Sequence, residues 1–115
     1  MTLKLKLDPD SLVGKPYDKK NYHCWHFIEE CLEVPTLSDI AVETAVQNIY
    51  ENMPYFQECD TLDNYCLVLL GEKHIGIYYD NHIYHNDIGG VKCEPFRQIA
   101  RKYTEVKFYE RRENT

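Results

Sequence analysis

This chain of 115 residues predicts an α+β domain, with N-terminal helices packed on a central antiparallel sheet. Three observations carry that expectation. Cys24 to Val34 repeats apolar side chains at helical spacing. Ser38 to Asn52 does so again. From Cys66 onward, short apolar runs alternate with the turn pairs Gly71-Glu72, Asp80-Asn81 and Gly89-Gly90.

Taken in order, Gly14-Lys15-Pro16-Tyr17 reads as a loop. The first helix puts Cys24, Phe27, Ile28, Cys31 and Leu32 on one face and leaves Glu29, Glu30 and Glu33 for water. Asn21 is its expected cap and Pro35 its stop. The second helix buries Val42, Ala45, Val46, Ile49 and Met53 and ends at Pro54. Cys66 to Leu70 and Lys73 to Tyr79 read as strands. Asp and Asn tolerate the left-handed backbone of a two-residue hairpin loop, so Asp80-Asn81 returns the chain into a strand from His82 to His85. Glu94 to Tyr103 is expected to be a helix or helical turn, and Glu105 to Glu110 a last strand. No repeat, low-complexity tract or linker interrupts residues 1 to 115, which predicts a single domain.

Composition excludes several classes. No apolar run approaches the ~20 residues of a membrane span. Met1 to Leu7 alternates leucine with lysine and lacks the continuous apolar core of a secretory leader, so the chain is expected to be cytoplasmic when made. A formal net charge of −6 argues against nonspecific nucleic-acid binding. Five cysteines form an odd set without compact spacing, as reduced thiols do.

The chemistry follows from the hairpin register. If Tyr79 faces His82, then Gly76 faces His85 and His74 faces Asp87, so His74, His85 and Asp87 share one sheet face beside the open space left by Gly76. Diagonal neighbours lie roughly 7–8 Å apart, within side-chain reach of a hydrogen bond. Cys24 begins a helix, and both a helix N-terminus and an imidazolium stabilise a thiolate. Cys24 is the candidate nucleophile, His74 its base and His85 the group that orients the base, with Asp87 as substitute for His85. Each residue alone reads more simply as core or structural; their conjunction raises the catalytic reading. Two rivals stand beside it: a metal site of His23, Cys24, His26 and Cys31, disfavoured by its spacing, and a non-catalytic binding module. His82 falls on the opposite strand face.

Four blocks in this order, Leu12-Val13-Gly14-Lys15-Pro16-Tyr17, Tyr22-His23-Cys24-Trp25-His26-Phe27-Ile28, His74-Ile75-Gly76-Ile77-Tyr78 and Ile83-Tyr84-His85, resemble the NlpC/P60 family of papain-like cysteine peptidases. The likeness covers residues 11 to 88. It implies a papain-like fold, Cys24 as nucleophile, His74 as base, His85 as third residue and Tyr17 near the substrate cleft and oxyanion site, with neither metal nor organic cofactor. It also implies hydrolysis of an amide bond in a peptide, above all the stem peptide of bacterial cell wall. The backbone N–H of Cys24 is the natural oxyanion donor. Two departures bear on the cleft: His23 stands where the family has aspartate, and Trp25-His26 where it has Ser-Gly. Tyr22 and Trp25 become further cleft candidates. The bulky residue after the cysteine resembles the phage-tail and prophage branch, which implies phage tail proteins as partners and a place in a virion.

Overall fold

The computed structural model describes residues 3–34, 55–60, 63–71 and 74–112. Among them the chain forms α1 (Cys24–Cys31), β1 (Phe56–Cys59), β2 (Leu67–Leu70), β3 (His74–Tyr79), β4 (His82–Asp87), β5 (Gly90–Pro95), α2 (Phe96–Ala100) and β6 (Val106–Arg111). The strands make one antiparallel sheet in the order β1-β6-β2-β3-β4-β5. The molecule is α+β. The expected second helix, Ser38 to Asn52, lies outside the described residues.

The centre of the sheet follows the anticipated register. Asp80 and Asn81 hold φ of 46° and 63°, the left-handed pair of a two-residue hairpin loop, and Tyr79 pairs with His82 and Gly76 with His85. Because side chains alternate, the sheet carries a core on each face. Leu67, Leu69, Ile75, Ile77, Tyr84 and Val91 pack with α1, while Val68, Leu70, Tyr78, Ile83 and Ile99 form a second layer with Phe96, Tyr103 and Phe108.

Two strands escaped the pattern. β5 occupies residues read as a turn and the start of a helix, because Val91 and Cys93 are too few to declare an alternation; helix α2 begins only at Phe96. β1 is a mixed polar edge strand held to β6, with Gln57 Nε2 donating to Glu110 Oε1 at 2.7 Å.

The ends of α1 also differ from expectation. Asn21 is not the cap: His23 is, its Nδ1 accepting from Trp25 N–H at 3.2 Å while His26 Nδ1 accepts from His23 N–H at 3.1 Å. The helix stops before Pro35 because Leu32 turns extended and bridges to Leu5, and Lys6 N–H takes the Cys31 carbonyl at 2.7 Å.

Candidate active site

His74 opens β3 and His85 sits in β4, and the tight hairpin sets them diagonally on one face. Their rings meet edge to face, with His74 Nε2 and His85 Nδ1 2.7 Å apart. The far side of His85 continues the chain: its Nε2 lies 3.4 Å from Glu94 Oε2, across the β4–β5 pair. One N–H bridges the neutral pair; in the tautomer where His74 Nε2 donates it to His85 Nδ1, His74 Nδ1 is the basic nitrogen. Asp87 Oδ2 stands 3.8 Å from His85 Nδ1 and its other oxygen pairs with Lys92 Nζ at 2.9 Å. His85, rather than Asp87, therefore makes the close contact to His74. Tyr103 stacks on His74 at 6.4 Å between centroids.

Burial governs the proton affinities. Desolvation, then the neighbouring His85, pushes His74 down to about 4, so both rings are neutral near pH 7; His85 is likewise lowered, first by its burial.

Cys24 starts α1, whose apolar face packs on β3 and β4 from the other side of the sheet. The thiol thus reaches the sheet from the face opposite the two imidazoles, at the start of β3. There the sulfur takes the N–H of Ile75, the residue after His74, along with the N–H groups of Trp25 and Cys24 itself. Desolvation outweighs these hydrogen bonds and pushes the thiol up to about 11. The expected thiolate with imidazolium is accordingly a thiol with a neutral imidazole in this state. The Cys24 amide, expected to hold an oxyanion, faces its own sulfur.

Gly76 does not leave an open space. A Cβ there would lie 2.8 Å from Ile83 Cγ2 and 2.9 Å from the Tyr84 carbonyl oxygen, so the glycine admits the close passage of β4.

Trp25 is wholly buried in the α1 core, with Nε1 donating to Glu29 Oε1 at 2.6 Å; in this state it offers a substrate no surface. Tyr17 is half-buried on a loop pinned to β5 by Gly14 N–H to Val91 O and Val91 N–H to Lys15 O, each 2.9 Å. Lys15 Nζ covers the Tyr22 ring at 4.0 Å. Glu29 and Glu30, expected in water, are half-buried, and Glu30 pairs with Lys15 at 3.1 Å. His82 is exposed on the opposite face, as anticipated. Of the rival metal set, His23 and His26 lie with ring centroids 4.1 Å apart and each accepts a backbone N–H through Nδ1.

Three contributors were not legible in advance. Asn86 is fully buried and donates through Nδ2 to the carbonyls of Tyr22 at 2.9 Å and His23 at 3.3 Å, tying β4 to the residues that enter Cys24. Glu94 belongs to the unrecognised β5. Tyr103 arrives from a turn after α2. Of the three, only Asn86 had a usable signal, its opposite parity to His85 in the same strand.

Comparison of the chain with protein-family models, with curated proteins and with solved structures finds no match.

Proposed function

We propose that this chain is a cysteine-nucleophile amide hydrolase on a papain-like, NlpC/P60-like domain, acting through Cys24, His74 and His85 on a peptide. The observation that carries the reading is the 2.7 Å contact between His74 Nε2 and His85 Nδ1, beside the Ile75 amide that engages the Cys24 sulfur. Stem peptide of bacterial cell wall is the favoured substrate, and a phage tail the favoured setting, both on the likeness of the sequence blocks.

From a neutral pair, the proton leaves Sγ for His74 Nδ1 as the sulfur attacks the amide carbon. His85, through its 2.7 Å contact, fixes the His74 ring and supports the charge that forms on it. The imidazolium then protonates the departing amine, leaving a thioester that water hydrolyses with His74 again taking the proton. Tyr17 borders the cleft in this scheme.

The test is mass-spectrometric detection of new peptide termini after incubation with purified stem peptides. Wild type is expected to cleave, and Cys24→Ala and His74→Ala to lose at least a hundredfold in rate, the lower range of general-base contributions. Cleavage by Cys24→Ala would sink the proposal.

One observation favours a second reading, a non-catalytic peptide-binding or tail-assembly module: Cys24 and Trp25 are fully buried. Alkylation separates the two. Cys31 and Cys66, also buried and pushed up to about 12, serve as structural controls. A catalytic Cys24 reacts faster than both and loses that advantage in His74→Ala; a Cys24 as slow as they are favours the module.

A further inference from the structure

We propose that His74, His85 and Asp87 form a zinc site that occupies the histidine pair and switches it off. Among the described residues these three bring one ligand atom each to within 4.8 Å of one another. Two imidazoles and a carboxylate are a ligand set zinc takes, in sites that keep an open fourth position.

The geometry is near to, but not yet at, coordination. Ligand atoms of a tetrahedral zinc with bonds of about 2.0–2.1 Å lie roughly 3.3 Å apart. His74 Nε2 and His85 Nδ1, at 2.7 Å, must separate by about half an ångström, Asp87 Oδ2, at 3.8 Å from His85 Nδ1, must close by a similar amount, and Asp87 must close on His74, within 4.8 Å of it, by up to about 1.5 Å. The partners outside this trio are already suited to it. Glu94 Oε2 lies 3.4 Å from His85 Nε2, on the side of the ring away from the site, where a carboxylate can orient a metal-bound imidazole. Lys92 holds Asp87 through Oδ1 and leaves Oδ2 for the ion.

Occupancy has a chemical consequence. For His74 to ligate through Nε2, its proton must move to Nδ1, the nitrogen that takes the Cys24 proton in the hydrolase scheme. No proton need be released, yet the base is lost. This inhibitory half rests on the proposed hydrolase; the binding half does not.

The test titrates metal-free full chain with zinc chloride against a chromophoric chelator. One equivalent is expected, weakened at least tenfold in Asp87→Asn, lost in His74→Ala and His85→Ala, and kept in His82→Ala, whose ring lies on the other face. Circular dichroism checks that the variants fold. A second readout needs no variant: cobalt loaded into wild type should show a nitrogen and oxygen spectrum without a sulfur-to-metal charge-transfer band. Failure to retain zinc, retention in both histidine variants, or a strong sulfur band would each overturn the site. Zinc binding that leaves stem-peptide cleavage by an active protein unchanged would overturn the inhibition alone. Absence of cleavage with binding intact would count against the hydrolase and not the site.

Discussion

Asn86 illustrates how a single side chain can fix the entry to a helix start without belonging to the helix. Its amide gathers the last two carbonyls before Cys24, and it is fully buried. Removing one partner of a buried hydrogen bond costs about 1–3 kcal/mol, so Asn86→Ala is expected to lower stability by that amount in chemical denaturation, with Cys24 becoming more open to alkylation. His26 makes a pH-dependent contribution of opposite chemistry. Burial, then His23, holds it below its ordinary 6.5, and its Nδ1 must stay unprotonated to accept from His23 N–H. A depressed value means that the unfolded chain takes the proton first. The stability is therefore whole above pH 6.5 and lost as pH falls through the folded value. Thermal midpoints between pH 7 and 5 should fall less steeply for His26→Gln, which keeps an acceptor. The shared face of His74 and His85 and the place of Cys24 at a helix start were legible because they follow from strand parity and helical spacing. Asn86 and Glu94 were not, because a polar residue reveals its partner only when distant strands are laid side by side.

At the level of the element, the β3–β4 hairpin is where sequence and structure agree most closely. A two-residue loop that admits left-handed backbone leaves one register, and that register alone brings 74 and 85 together. Gly76 guards it from the inside. Gly76→Ala should cost about 1–3 kcal/mol through overpacking against Ile83 and the Tyr84 carbonyl. It should also disturb the histidine ring signals in NMR; an unperturbed pair would show that β4 has room to yield. The α1 boundaries were harder to foresee. Helix caps are usually carboxylates, amides or hydroxyls, and here two histidines serve, while the helix end is decided by a bridge to Leu5 from the other end of the sequence.

Across the whole molecule, one sheet separates two apolar layers, with Cys24 in the α1 layer and the histidine pair on the other face. The single tryptophan reports on the α1 layer, since Trp25 is fully buried. Cysteines report on both: Cys24 and Cys31 in the α1 layer, Cys66 in the other. If the sheet couples its faces, Trp25 emission, far-ultraviolet circular dichroism and pulse alkylation of these cysteines should share one denaturation midpoint, as expected of a small two-state domain. An earlier midpoint for Cys66 would mean that the layers melt separately. The α+β class was legible from the whole pattern because helical and strand periods fall in different halves of the chain. The edges of the sheet were not, since edge strands carry mixed side chains and leave little apolar rhythm.

The imidazole cap of α1 has one more consequence. An aspartate in place of His23 would plant a formal anion one residue from the sulfur and blunt the positive end of the helix that faces it. Imidazole nitrogens accept from the same N–H groups without that carboxylate. The first turn of α1 therefore keeps the positive end of its dipole unopposed by a carboxylate at the cap position itself.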